Sequence, residues 1–382
     1  MKSIAIVGGG IGGLCCAIGL QRAGYSVNIY ESAEELRPLG AGLVLSVNSV
    51  RALHQLGLDQ AVREIGHTFS QVAILDQRGK TINETSMQTV ADTYGVSNFS
   101  VHRADLQSVL MKQLTSNTLR LGKKCVDFIQ KEGEVTLRFA DGEQAVAEAL
   151  IAFDGIYSPV RQKLLPEVGL RYAGYTCWRA VVPYHFQHHP RRFSETWGST
   201  GRFGIVPLMD DQVYWFATIN TPHRNSDLQY YTVADLRQNF RDYHPPVTEL
   251  LTHTTDEQLL WNDILDFKPI DHYAFGNVVL AGDAAHAMTP NMGQGAGMAI
   301  EDATVLTNCL VRYATATEAF SHYEALRKSR VKSIVNGSFQ LGRIAKLTSP
   351  WLSKLRNQAF RSIPAWLTQR QMKTLYDVSL DS

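Results

Sequence analysis

Gly8, Gly10 and Gly13 stand at Gly-x-Gly-x-x-Gly spacing directly after the apolar run Ile4 to Val7. Glycines so placed permit a tight turn, bring backbone close to a pyrophosphate and let a helix pack closely on the preceding strand. The helix N-terminus then meets the negative charge. Glu31 ends the next apolar run, about 20 residues on, where a carboxylate accepts hydrogen bonds from both ribose hydroxyls of an adenosine and disfavours a 2′-phosphate. This is the chemistry of dinucleotide binding. Much further along, Ala281-Gly-Asp283-Ala-Ala-His286 precedes Pro290, Gly293, Gly295 and Ala296, which lead into an apolar helical pattern from Met298 to Leu310. Asp283 follows a strand, so its carboxylate would project into the crevice and hold a ribityl hydroxyl; an ordinary helix cap is the alternative. A helix start aimed at an isoalloxazine edge stabilises negative charge on the reduced ring. The two motifs together point to FAD. His286 stays open between a flavin-side residue and a loop histidine.

These residues need a scaffold that brings distant segments to one edge. The first 35 residues supply its opening: strand Ser3 to Val7, a helix from about Gly12 to Ala23, Gly24 as its stop, and strand Ser26 to Tyr30. That βαβ unit starts a doubly wound sheet. Helices follow at Asn48 to Leu56 and Arg103 to Leu114, with a hairpin of Gln71 to Asp76 and Lys80 to Ser86 between them. Val135 to Ala140 and Ala149 to Phe153 read as strands, the second ending at Asp154-Gly155. From Tyr172 to about Asn220 the texture becomes short aromatic-rich runs, among them Thr176 to Val182, Arg202 to Val206 and Gln212 to Thr218, as in an inserted antiparallel sheet. Strand Val278 to Ala281 returns to the first texture, and the remainder is helical. The fold class is therefore α/β: a Rossmann-like nucleotide domain with an inserted, mainly antiparallel β-sheet substrate domain and a C-terminal helical segment. The expected division assigns residues 1–70, 100–170 and 270–345 to the first, 71–99 and 171–269 to the second, and 346–382 to the third.

A chain of 382 residues has room for two domains sharing a ligand crevice. With 37 basic and 36 acidic residues it carries no electrostatic footprint for nucleic acid. The five cysteines, Cys15, Cys16, Cys125, Cys177 and Cys309, lack metal-ligand spacing and read as reduced core residues, so no metal is expected. Lys2 before an apolar stretch that breaks at three glycines resembles neither a secretory signal nor an anchor, and no apolar run approaches the roughly 18 residues of a spanning helix. A soluble cytoplasmic monomer or homodimer is the expectation. Trp351 to Asp377 sets Lys354, Arg356, Arg361, Arg370 and Lys373 among apolar residues at helical spacing; a helix covering the nucleotide domain is favoured there over a membrane-surface helix, which Pro364 would interrupt.

Three motifs in order, Gly8-x-Gly10-x-x-Gly13, Asp154-Gly155-Ile-Tyr-Ser158-Pro-Val-Arg161 and Gly282-Asp283-Ala-Ala-His286 with Pro290 and Gly293-Gln-Gly295, carry a resemblance across nearly the whole chain. The sequence resembles the class A, single-component FAD-dependent aromatic hydroxylases, similar to the para-hydroxybenzoate hydroxylase fold. The resemblance implies that Asp154 and Arg161 help organise pyrophosphate and NAD(P)H, and that Arg103 reaches the FAD phosphates or ribityl chain. Neither Leu106 nor Gln107, one turn on from Arg103, offers it an acidic partner. Phe153 replaces the small residue usual before Asp154, and Ala296 replaces a common Asn, which leaves a backbone contact to flavin intact. The implied reaction takes hydride from NADH or NADPH, a transient reductant, and hydroxylates a small aromatic or heteroaromatic compound with molecular oxygen through a flavin C4a-hydroperoxide.

The stretch Arg202 to Tyr214 looks most like the FAD-dependent urate hydroxylases, and Arg171 to Tyr175 continues that likeness. Arg202 is thereby implied to stabilise an anionic substrate and Tyr214 to assist its activation. Trp178, Arg179 and His185, with Trp215 and Phe216, are further pocket candidates; sheet packing explains alternate strand residues equally well. Two other readings share the scaffold: an antibiotic-inactivating monooxygenase of the tetracycline type, and a flavin oxidase or reductase without oxygen insertion.

Overall fold

The computed structural model describes residues 3–36, 41–186 and 192–381; Met1 and Lys2, part of the N-terminal reading above, lie outside the described residues. Near-continuous apolar runs, the mark of strands covered on both faces, build a six-stranded sheet. Its order is Ala274–Phe275, Val278–Leu280, Ala149–Ala152, Ser3–Val7, Ser26–Tyr30 and Leu119–Arg120. All neighbours pair in parallel except the first two. The register decides the site. Val7 pairs with both Tyr30 and Ala152, and Ala152 with Leu280, so four strands end in line. Gly8, Glu31, Asp154 and Gly282 therefore leave the same carboxyl edge, where ligands of such sheets bind.

Helix Ile11–Arg22 starts in the glycine turn, and helix Gly295–Arg312 packs beside it, beginning three residues before the expected Met298. Gly8 holds φ +105°, closed to most side chains, and a Cβ on Gly13 would sit 2.1 Å from the Gly8 carbonyl oxygen. The close packing of helix on strand is thus a property of a missing side chain.

A second sheet has seven strands in the order Leu260–Asp266, Arg171–Pro183, Gln212–Asn220, Arg202–Pro207, Arg192–Trp197, Gln71–Asp76 and Thr81–Ser86. It is antiparallel apart from the pairing of Arg192–Trp197 with Gln71–Asp76. The hairpin read near residue 79 thus joins strands from far downstream. Sequence reading found neither Arg192–Trp197 nor Leu260–Asp266, nor helices Val233–Asn239 and Pro245–Thr252. Those helices cover one face, closing a core of Trp178, Phe203, Trp215, Leu236, Phe240 and Leu250. Two three-stranded sheets complete the β-structure of the described residues, one of Cys125–Lys131, Glu134–Phe139 and Gln144–Ala147, the other of Gly42–Leu45, His67–Thr68 and Phe99–His102.

After the 30-residue helix Ala316–Ala345 come Pro350–Arg361 and Ala365–Tyr376, divided at Pro364. The first lies on the large sheet rather than on the nucleotide-binding layer: Asn83 Nδ2 donates to the Phe360 carbonyl at 3.3 Å and Arg361 reaches Asp76 at 3.6 Å. The second closes on the nucleotide side, where Arg51 Nη1 donates to the Tyr376 carbonyl. Among the described residues no helix is long and apolar enough to cross a membrane. All five cysteines are buried free thiols.

Candidate active site

A single cavity of about 1300 Å³ runs from the glycine turn to the open face of the seven-stranded sheet. Gly8, Gly10, Glu31, Arg103, Asp154, Asp283, Pro290, Gly293, Gly295 and Ala296 all border it. At the glycine end, Glu31 is anchored through the Gly9 amide, which donates to Oε2 at 2.7 Å, and the Ala33 amide, which donates to Oε1 at 2.8 Å. Gly10 opens onto space, with no atom within 4 Å of where a Cβ would stand. Arg103 begins the helix Arg103–Met111, and Gln107 one turn on donates to the Gly9 carbonyl at 3.1 Å, tying that helix to the turn. Gly13 lies behind the cavity wall, in the helix-on-strand contact.

Asp154 tests whether these residues suit FAD. Its Oδ2 accepts from the Val160 amide at 3.4 Å, whereas Oδ1 is buried with no partner in the structure. Burial pushes the carboxyl up to about 6, against the opposing pull of Ser158, Val160 and Arg161. An orphaned carboxylate oxygen beside an open glycine turn is an acceptor waiting for a hydroxyl donor, and the donor set fits a ribose-bearing dinucleotide. Arg161 behaves differently from expectation. Its guanidinium is buried away from the cavity, donating to the carbonyls of Ala284 at 3.2 Å and Ile156 at 2.5 Å and lying 4.4 Å from the Phe267 ring centre. It clasps the Asp154 loop to the Asp283 segment.

The Asp283 segment is held from behind by charges that no local pattern announced. Asp302 Oδ2 accepts from the Gly282 amide at 2.8 Å and pairs with His286 Nε2 at 2.5 Å, while Oδ1 takes Arg327 Nε at 2.7 Å. Arg327 and Arg330 both bind Glu301, which also accepts from Asn48 Nδ2 at 2.6 Å. His286 is therefore a buried structural residue, 1% exposed, not a flavin-side group. His286 and Arg327, with the Gly282 amide, hold the Asp302 carboxyl well below the usual range despite the opposing effect of burial. Asp283 itself points outward to the cavity at the start of a four-residue helical turn.

At the sheet end, strand alternation sorts the candidates. Cys177, Arg179, Arg202, Tyr214 and Phe216 border the cavity; Trp178 and Trp215 do not, because odd and even neighbours face opposite ways. Both tryptophans are 0% exposed in the far-side core, where Trp215 stacks on Phe203 and its Nε1 donates to Thr254 Oγ1 at 3.0 Å. His185 is also outside, exposed and 3.1 Å from Asp211 Oδ1. Arg202, 5% exposed, pairs with Glu195 Oε1 at 3.0 Å and lies 5.1 Å from the Tyr175 ring centre. Glu195 takes a second bond from Trp197 Nε1 at 3.0 Å. Sequence reading missed Glu195 and Trp197, although Phe193-x-Glu195-x-Trp197 has the alternation of a strand. Burial drives the Tyr214 phenol upward more strongly than adjacent Arg179 lowers it, so Tyr214 stays protonated at neutral pH. Tyr175, pushed up to about 12 chiefly by burial, donates to Asn291 Oδ1 at 3.1 Å and so joins the sheet to the Pro290–Met292 turn.

The FAD binding domain family model matches residues 1–338. The aurachin C monooxygenase/isomerase of Stigmatella aurantiaca is 37% identical over 94% of this chain and 94% of its own length. The 2-heptyl-3-hydroxy-4(1H)-quinolone synthase of Pseudomonas aeruginosa is 30% identical over 98% of this chain and 97% of its own length. Klebsiella pneumoniae HpxO, solved in complex with FAD and uric acid, superposes with a TM-score of 0.92 at 27% identity, covering 99% of this chain and 98% of that one. Taken with a dinucleotide-binding edge that faces a substrate-sized sheet surface, these likenesses establish that the chain belongs to the class A flavin monooxygenase family and is an FAD-dependent monooxygenase.

Proposed function

We propose that the protein hydroxylates a small aromatic or heteroaromatic ring with NADH or NADPH as reductant and dioxygen as oxidant. The observation that carries this reading is the shared cavity: Arg179, Arg202 and Tyr214 face the same space as Gly10, Asp154 and Asp283. A nitrogen heterocycle of the 4-quinolone kind is the first candidate, supported by the quinolone synthase relative, with urate-like rings next. Residues 71–99 and 171–269 would form the substrate-binding part, since their strands supply this face.

The chemistry FAD supplies when bound is acceptance of hydride from NAD(P)H and activation of dioxygen. The protein's own residues bind and orient. Gly8, Gly10 and the start of helix Ile11–Arg22 would receive the pyrophosphate, Arg103 the phosphates or ribityl chain, Glu31 the adenosine end, and Asp154 and Asp283 the hydroxyls between. The start of helix Gly295–Arg312, with Pro290, Gly293 and Ala296, would lie at the ring edge, where its amide dipoles favour negative charge. Tyr214 would donate to a ring oxygen of the substrate while Arg179 and Arg202 favour its anionic form. Arg161 contributes by fixing the two loops that carry Asp154 and Asp283.

The test is to measure NADH and NADPH oxidation by the FAD-loaded protein with 4-quinolones, urate-like heterocycles, phenolic acids and tetracyclines, and to weigh the products. A product heavier by one oxygen is expected from a ring compound. Stimulated oxidation without an oxygenated product would replace this reading with a reductase or oxidase.

A further inference from the structure

Beyond Tyr214 the cavity changes character. Across the sheet, Tyr214 is paired with Val206, and Val206 clusters with Phe193, which is paired with Val72; Val72 is in turn paired with Thr85. At the usual spacing between strands this row extends roughly 19 Å from Tyr214 to Thr85. Only its first member offers a strong polar group to the cavity until Thr85 at the far edge. The C-terminal helices also border the cavity: Phe360 lies on the first, Ile363 just before the second, and Met372 and Leu375 on the second, alongside Thr368, Gln371 and Thr374. Trp197 joins the first of these helices to the sheet, its ring 5.1 Å from that of Phe360 on one side and its Nε1 on Glu195, the partner of Arg202, on the other.

Val72, Phe193 and Ile363 are each only half-buried and each borders the cavity. Apolar surface left uncovered inside a pocket is surface for a ligand to cover. We infer that this branch holds an extended apolar tail of the substrate, an alkyl or isoprenoid chain attached to the ring that Arg202 and Tyr214 receive. The substrate class is accordingly an amphiphilic ring compound rather than a compact polar one such as a hydroxybenzoate. The inference rests on the proposed function for the position of the ring and adds the tail to it.

The probe is a series of 4-quinolones bearing 2-alkyl chains of one to nine carbons, titrated into the FAD-loaded protein while the flavin absorbance is followed, with product mass as a second readout. Each methylene buried in the branch should lower Kd roughly three- to four-fold until the branch is full. In Val72→Trp and Phe193→Trp, which fill the branch from neighbouring strands, the ratio of the methyl to the nonyl Kd should collapse toward one. If the methyl compound is oxygenated but chain length leaves Kd unchanged, the tail branch is refuted and the hydroxylase reading stands. If both variants keep the wild-type ratio, the tail lies elsewhere and the branch is likewise refuted. A chain-length dependence abolished by the variants, but with no oxygenated product from any ring, keeps the branch and overturns the hydroxylase reading.

Discussion

Asp154 shows how a single side chain carries the cofactor argument. Its orphaned Oδ1 and a carboxyl pushed up to about 6 mean that folding without ligand favours the neutral acid. Because the folded value exceeds the unfolded one, that contribution is fully present below about pH 4 and is lost as pH rises through 6. Urea unfolding of the FAD-free protein should show wild type losing on the order of 3 kcal/mol across this window relative to Asp154→Asn. Parallel pH profiles would remove burial as the cause of the shift. At this scale residue type was legible and orientation was not. Arg202 and Tyr214 reach the cavity as the strand pattern allowed, but Trp178 and Trp215, one residue from Arg179 and Tyr214 respectively, face the other way. Side-chain parity along a strand can be read only once one residue's face is known.

The elements that present these residues depend on a buried charge network between helices. Asp302, on Gly295–Arg312, holds the Gly282 amide, His286 and Arg327 at once. Removing one partner of such a buried set strands the others, at a cost of about 3 to 5 kcal/mol. Asp302→Ala should therefore lower the unfolding free energy in urea titrations by that order and release FAD on gel filtration, since Gly282 and Asp283 lose their anchor. Retained flavin with near-native stability would show that the loop is held by other contacts. Since the folded carboxyl lies below its unfolded value, the network's contribution is present above about pH 4 and is lost as pH falls further. The nucleotide-binding strands were readable in advance because short apolar runs end at glycine or acid. Strand Leu260–Asp266 and the Asp302 network were not, because their partners lie far away in sequence: Leu260–Asp266 pairs with Arg171–Pro183, and Arg327 stands 25 residues beyond Asp302.

For the whole molecule, the cofactor should act as a structural member as well as a reagent, because its cavity lies between both large sheets and the C-terminal helices. Free FAD at a hundred times its Kd should stabilise the fold by about 2.7 kcal/mol, seen as a midpoint that climbs with FAD concentration in thermal unfolding. A midpoint indifferent to FAD would contradict the assignment of this cavity. The amino-acid sequence determined by itself that the chain is α/β, and it singled out Gly8, Gly10, Glu31 and the Gly282 to Ala296 segment, which the structure brings to one cavity. These are local signals, written in spacing and in the residue types that a turn or a strand end requires. Tertiary structure alone decided that Arg161 is a clasp and His286 a buried hydrogen-bond partner of Asp302. It also placed Glu195 against Arg202 and lined the pocket with the apolar row Val206, Phe193 and Val72. Each of those depends on which distant segments meet, and on which face of a strand or helix is turned toward the other.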